Sequence, residues 1–397
     1  MTQKDISVDE LIDEINTFLQ EDSTKQEENA EPEALPQEVV PPKKKHPRLR
    51  TFMRGLVKIF LVLLETVLLL AVALYGVMYV LAKGPSVTAR DLFVRSVRET
   101  SAVGFLANLY FTDEEIAQIV SAEDVAEYIE TDTSLIQIPQ KDPEVTQPKG
   151  PVADAWGLVD EDGDGIIVEE VKGQGYSGYM MVVQDPSRVI MGSVPSAYGS
   201  HGYTVAQMVE KFDAVAGINA GGFEDPNGQG NGSIPDTMVV YDGNIYYTES
   251  GVSMGFVGFD SNYIMHVGKF SIKDVQSRDI QYGVCFGPVL VANGEIYNPD
   301  ALNSGVNPRT AIGQRSDGAV LLLVVDGRQV SSLGATYMDL AEIFLSFGAV
   351  NACNLDGGSS SVMWYQGDYI NNCSTLVGIR PVPTTFLVLK EGVKSNG

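Results

Sequence analysis

Cysteine, histidine and basic side chains are all scarce in this chain of 397 residues. Three cysteines in that length exclude a small disulfide-stapled fold, so stability has to come from packing. Cys285, Cys353 and Cys373 are odd in number. Cys353 and Cys373 can be read as a pair or as small buried apolar groups. His201 and His266 have no metal-ligand neighbour at the usual spacing and receive no role. Lys and Arg number 27 against 52 Asp and Glu, a formal net charge of −25. That balance argues against a nucleic-acid partner held by bulk electrostatics. No internal repeat is visible, and the length is enough for one or two folded units with a sizeable core.

One long apolar run is present. Residues 59–82 contain a single charge, Glu65, and as a helix reach about 36 Å, enough to cross a hydrocarbon layer of about 30 Å. Lys43, Lys44, Lys45, Arg48, Arg50, Arg54 and Lys58 precede the run without an intervening acid. This bias predicts a single-pass anchor in the cell membrane, with a cytoplasmic N-terminus and the large C-terminal part outside. The run starts too far along the chain and is too long for a cleaved signal peptide. Residues 1–58 then form a cytoplasmic arm. Within it, residues 7–19 carry a capping box (Ser7, Glu10) and helical apolar spacing suited to a cytoplasmic protein partner, and an acidic, Pro-containing tether follows. Residues 83–153 read as a helical stalk, with a second capping box at Thr112 and Glu115, and then a Pro-rich linker.

From 154 to 391 the pattern changes to short β-branched runs divided by Gly, Asn and Asp, interrupted by two helices, Thr204 to Phe212 and Thr336 to Phe347. Asp242-Gly243 and Asn293-Gly294 stand between strand-like flanks as hairpin turns. The expected class is α+β, a mixed β-sheet domain with a few helices behind one transmembrane helix.

Three segments of this domain are rich in chemistry. In GINAGGF, a strand runs into Asn219, which both donates and accepts, and then into Gly221 and Gly222, which let backbone amides approach a ligand. In NPRTAIG, a proline stiffens the approach to Arg309, whose guanidinium suits a phosphate. In NLDGGSSSVM, Asp356 stands at the mouth of a Gly- and Ser-rich loop able to form an anion nest. Taken singly, each also reads as an ordinary turn or surface residue. DEDGDG at 160–165 resembles the start of a calcium loop, but its twelfth position is Val171 where Glu is required, so a turn into the next strand is expected.

Together with VVDGR (324–328) and DPSRV (185–189), these segments resemble the phosphodiester glycosidase family, in the family's order and over about 230 residues. The stretch TYMDLAEIFLSFGAVNACNLDGGSSSVM is the most specific part; Ser359 departs from the third glycine that many members carry. The resemblance implies cleavage between a sugar's anomeric carbon and a phosphodiester oxygen, a reaction served by carboxylates near that carbon and cations or amides near the phosphate. On it, Asp326 and Asp356 are the expected catalytic carboxylates, with their roles undivided. Arg309 and Arg328 hold the phosphate. Asn219, Gly221, Gly222, Thr310, Gly357, Gly358, Ser360 and Ser361 contact sugar or phosphate. Glu224 is a third acid without a distinguishing spacing. No cofactor is called for, and a divalent metal stays open.

The expected activity is therefore a membrane-anchored glycosidase acting on sugar-1-phosphodiester linkages in a cell-surface polysaccharide or glycolipid. A non-catalytic carbohydrate-binding or scaffold protein in envelope or exopolysaccharide assembly is the alternative. Metal-dependent phosphoesterase chemistry is a third reading.

Overall fold

A computed structural model describes residues 47–100, 103–120, 129–139, 150–225, 230–246, 254–375 and 378–392. The amphipathic segment 7–19 lies outside them. The chain divides into two units, 1–71 and 72–397, the boundary falling within one long helix.

That helix, Pro47–Lys83, is long and apolar enough between Phe52 and Lys83 to cross a membrane. Its apolar side chains are exposed: Phe60, Leu70 and Val80 are 64, 64 and 65% accessible. A buried core helix would hide such residues. After Ser86, whose hydroxyl caps the next helix, come Val87–Arg98 and Asp113–Val120. The second of these opens on the expected capping box: Glu115 N donates to Thr112 Oγ1 at 3.2 Å and Thr112 N donates to Glu115 Oε2 at 2.9 Å. The stretch expected as linker is docked where it begins, with Ile136 buried and Gln137 N donating to Ser316 O at 2.7 Å.

The α+β class holds. Every strand pairing among the described residues is antiparallel, so a mixed sheet is replaced by three larger antiparallel ones. Strands consecutive in the chain, such as Ile166–Gly173 and Tyr176–Val183 or Arg309–Arg315 and Val320–Val325, are joined by short connections that only an antiparallel pair can use. The seven-stranded sheet runs Glu295–Ile296, Val289–Ala292, Ala349–Leu355, Arg309–Arg315, Val320–Val325, Tyr176–Val183, Ile166–Gly173. A five-stranded sheet runs Asp368–Tyr369, Met363–Tyr365, Ala214–Asn219, Thr384–Leu389, Val189–Ser193. Another runs Met265–Phe270, Met254–Asp260, Ile280–Cys285, Val239–Tyr241, Asn244–Tyr246.

Alternation explains how they pack. Along Val320–Val325, Val320, Leu322 and Val324 enter the core shared with the five-stranded sheets, while Leu321, Leu323 and Val325 face the helix Tyr337–Ser346 through Leu340 and Phe344. A strand covered on both faces needs apolar residues at successive positions, which is why this run does not alternate in polarity. Both expected hairpins form: Tyr241 pairs with Asn244 across Asp242-Gly243, and Ala292 with Glu295 across Asn293-Gly294, with positive φ at all four turn positions.

Candidate active site

The strands Ala214–Asn219, Arg309–Arg315 and Ala349–Leu355 end at one place. Asn219 stitches their ends: its Nδ2 donates to Asp356 O at 2.5 Å, and its Oδ1 accepts from Thr310 Oγ1 at 2.9 Å and Val362 N at 3.2 Å. Asp356 N donates to Ala220 O at 2.9 Å, and Gly221 N donates to Thr384 Oγ1 at 3.0 Å. With every one of these polar groups engaged, the turn carrying Asp356 is held rigidly above the sheets.

Above it lies a cavity of about 580 Å³. Of the residues expected at the site, Gly222, Arg309, Arg328, Asp356, Gly357, Gly358 and Ser360 line it. Asn219, Gly221, Thr310 and Ser361 do not line it; the first three are engaged in the supporting hydrogen bonds just described. Ser361 is buried with its hydroxyl unpartnered.

Asp326 is not brought into the cavity wall with Asp356. Its Oδ1 accepts from Asn371 Nδ2 and Asn372 N, both at 3.0 Å, and it fastens the loop after the strand Asp368–Tyr369. An Asp-Gly pair at a strand end reads the same in sequence whether the carboxylate faces a ligand or a neighbouring loop. The acid that does share the cavity with Asp356 is Asp236. A Cβ on Gly222 would lie 2.5 Å from Asp236 Oδ2, so Gly222 leaves the space this carboxylate occupies. Glu224 does not line the cavity, and its charge raises the Asp236 pKa.

The electrostatics single out Asp356. Burial pushes its carboxyl up from 3.8 to about 7, the Asp236 charge adds to the rise, and the Ser360 hydroxyl, Arg380 and the Gly357 amide oppose it. Asp236 is raised as well, by burial first and then by Glu224. Asp356 can therefore hold and exchange a proton near neutral pH, with the raised Asp236 carboxyl in the same cavity.

Three guanidinium groups line the same cavity. Arg380 pairs with Asp225 through two hydrogen bonds of 2.8 and 2.7 Å, which hold the Asp225 carboxyl low although burial works against it. Arg309 donates to Glu99 Oε2 at 2.6 Å, to Gly305 O and to Ala335 O, and lies over the Tyr337 ring. Arg328 donates to Thr100 Oγ1 at 2.7 Å and Asn307 Oδ1 at 3.1 Å. Among the described residues no carboxylate is in ion-pair contact with Arg328. It also has φ +57°, a conformation costing about 1 kcal/mol or more in a residue other than glycine. This turns its guanidinium over Gly358, where a Cβ would come within 3.4 Å of it. Burial and the nearby Arg309 charge lower the Arg328 pKa. A bound anion would offset both.

The remaining wall includes Phe223, Phe286, Tyr337 and Asn354, the last with a buried, unpartnered Oδ1. Glu99 and Thr100, expected as stalk, are part of this wall too. Neither they nor Asp236, Asp225 and Arg380 lie in a recognisable motif. All three cysteines are free: Cys353 Sγ is near Asn354 O at 3.4 Å and Cys373 Sγ near Ser359 O at 3.4 Å. Asp160, Asp162 and Asp164 do gather within 4.8 Å of one another at the DEDGDG turn. The Asp160 carboxylate is taken up by the amides of Gly163 and Gly165, both at 2.8 Å.

Comparison with known proteins agrees with the geometry. SPbeta prophage-derived uncharacterized protein YomE of Bacillus subtilis is 34% identical over 181 residues, 43% of this chain and 27% of that protein. N-acetylglucosamine-1-phosphodiester alpha-N-acetylglucosaminidase of Mus musculus is 26% identical over 223 residues, 51% of this chain and 42% of the relative. The chain thus spans less than half the length of either curated relative. The zebrafish enzyme of the same name, its catalytic domain solved auto-inhibited by pro-peptide, aligns with a TM-score of 0.51 at 19% identity, covering 68% of this chain and 93% of that one. At that identity the likeness is one of fold. Residues 212–389 match the family model described as phosphodiester glycosidase.

Proposed function

We propose that the protein is a membrane-anchored glycosidase that hydrolyses sugar-1-phosphodiester linkages, with residues 59–82 as anchor, the N-terminus cytoplasmic and the domain outside. The single observation that carries this reading is the meeting, in one cavity, of a carboxyl with pKa raised to about 7, Asp356, and a guanidinium with no carboxylate in ion-pair contact among the described residues, Arg328. The names borne by the mouse and zebrafish relatives support the same chemistry.

In the proposed reaction Arg328, assisted by Arg309, receives the phosphate. The sugar lies toward Asp356 and Asp236, its hydroxyls within reach of the free Asn354 carbonyl. Water attacks the anomeric carbon and the C1–O bond breaks. The phosphomonoester departs with the bridging oxygen and the bond's electron pair. A weakly basic phosphate needs little protonation on leaving, so the Asp356–Asp236 pair chiefly takes up the proton of the attacking water.

The test is release of free sugar from a GlcNAc-1-phosphodiester by the full chain in detergent. Free sugar in equimolar amount with phosphomonoester, lost in Asp356→Asn, is expected. Equal release by wild type and Asp356→Asn refutes catalysis. Saccharide binding that persists without either carboxylate indicates a carbohydrate-binding or scaffold role instead.

A further inference from the structure

The wall of the cavity that carries Glu99 and Thr100 is built from the chain that leaves the apolar helix. Only residues 84–86 separate Lys83 from the helix Val87–Arg98, and Glu99 follows directly. Twelve helical residues span about 18 Å, and the four other steps add at most about 14 Å, so the cavity wall lies within about 32 Å of Lys83 whatever the path.

Nothing in this connection is a loose tether. Tyr110 Oη donates to Tyr75 O at 3.1 Å, the Tyr75 and Tyr110 ring centres are 5.4 Å apart, and Lys83 Nζ lies 4.2 Å over the Phe111 ring. Ala82 is buried in one cluster with Val94, Ala107 and Ile116. At its other end the same helix is bolted to the loop that presents Arg309. Val306 N donates to Ser96 Oγ at 2.9 Å, and Glu99 accepts from Gly305 N at 2.7 Å and Asn307 Nδ2 at 2.9 Å. A Cβ on Gly305 would lie 2.3 Å from the Ser96 backbone, so glycine is what permits this approach. Beside the junction, Phe105 and Leu109 are 62 and 55% exposed, as groups meant for a headgroup layer would be.

A site meant for polymers remote from the membrane would gain from a long flexible stalk. This one is fixed near the end of the membrane-spanning helix. We propose that the substrate is a glycolipid in which a sugar-1-phosphate is esterified to a lipid alcohol of the same membrane; this inference rests on the phosphodiester glycosidase reading above. Its phosphate lies in the headgroup layer at the end of the apolar helix, and the rigid connection keeps the cavity wall within about 32 Å of Lys83 at that end. Hydrolysis forms a C1–OH bond from water and breaks C1–O. The lipid monophosphate leaves with the bridging oxygen and stays in the bilayer, and the sugar is released.

The full chain reconstituted in vesicles is given two probes with the same sugar: a GlcNAc-1-phospho-isoprenyl lipid in the bilayer and GlcNAc-1-phospho-methyl ester in solution. A second chain carries (EAAAK)₃ inserted between Lys83 and Gly84, a rigid spacer of about 22 Å. The wild type is expected to favour the lipid probe at least tenfold in initial rate at equal total concentration. The spacer should cut the lipid rate at least tenfold while changing the soluble rate less than twofold. A wild type that hydrolyses the soluble ester as well as the lipid, or a spacer without effect on the lipid rate, overturns the proposal and leaves the glycosidase reading standing. Hydrolysis of neither probe by wild type overturns both. If the spacer chain fails to fold, seen as loss of the soluble rate, the wild-type preference alone decides.

Discussion

Replacing Asp356 by Asn separates a catalytic carboxyl from a structural one by a measurement that needs no substrate. In the unfolded chain this carboxyl ionises at its ordinary 3.8; in the fold, burial holds the proton until about 7. Between those values the native state binds more protons than the unfolded one, so this group makes stability fall as pH rises through that window and leaves it level above. The full separation of about three units corresponds to about 4 kcal/mol, of which about 2 to 3 kcal/mol falls between pH 5 and pH 8. In Asp356→Asn that dependence vanishes. Thermal unfolding of wild type and variant in the same detergent at pH 5 and pH 8 reads it, because the other titrating groups cancel in the difference. The variant should gain on wild type by about 5 to 10 °C as pH goes from 5 to 8, at about 2 to 4 °C per kcal/mol for a domain of this size. It should at the same time lose hydrolysis by a factor of 10² or more. Stability curves that run parallel at both pH values refute the raised carboxyl, and with it the reason for placing the reaction at Asp356.

Asp236→Asn removes a like charge, which moves the Asp356 pKa downward. The acidic limb of the kcat/KM profile should shift to lower pH while the rate falls about 10² to 10⁴-fold; an unmoved limb denies the pairing. Asp326→Asn retains an oxygen for Asn371 and Asn372, so activity should stay within a few-fold of wild type. Asp326→Ala should cost about 1 to 3 kcal/mol in denaturant unfolding, and a 10²-fold loss in the Asn variant would return Asp326 to the catalytic step. Glu99→Gln takes a competing carboxylate off Arg309. KM for a phosphodiester should fall up to about tenfold, or about 1.4 kcal/mol, with kcat within a few-fold, and a raised KM would show that Glu99 serves only to position Arg309.

Legibility from sequence followed the range over which each feature is determined. The capping boxes at Thr112 and the two Asp-Gly and Asn-Gly hairpins are set by residues within four positions of one another, and the structure forms them where the sequence places them. Asp356, Arg309 and Arg328 stand in motifs at strand ends, and these reach the cavity. Asp236 and Arg380 carry no local mark. Asp236 reaches the site through a loop return beside Gly222, and Arg380 through a pairing with Asp225 across 155 residues. Asp326 shows the converse failure: its strand-end Asp-Gly context matched that of a site acid, and only the position of Asn371 shows where its carboxylate is spent. Antiparallel as against mixed pairing was equally hidden, because it depends on the return path of long connections.

A net charge of −25 poses a problem for any site that receives a phosphate, since the field of the whole chain repels it. The cavity answers locally, with three guanidiniums of which two carry their own counter-ion, Arg309 with Glu99 and Arg380 with Asp225. Those pairs leave the site near neutral before substrate arrives and keep the buried cations from destabilising the fold. Of these three, Arg328 is the one without a carboxylate in ion-pair contact among the described residues, strained in backbone and desolvated, so the free energy of satisfying its charge is released when an anion enters. In the same cavity Asp356 holds its proton up to about 7, by burial first and with the Asp236 charge adding to the rise, and Asp236 is raised by burial and by Glu224, which lessens the negative charge an anionic substrate meets. The acidic chain thus presents its positive and its proton-holding groups to the ligand and turns its ionised carboxylates toward its own arginines.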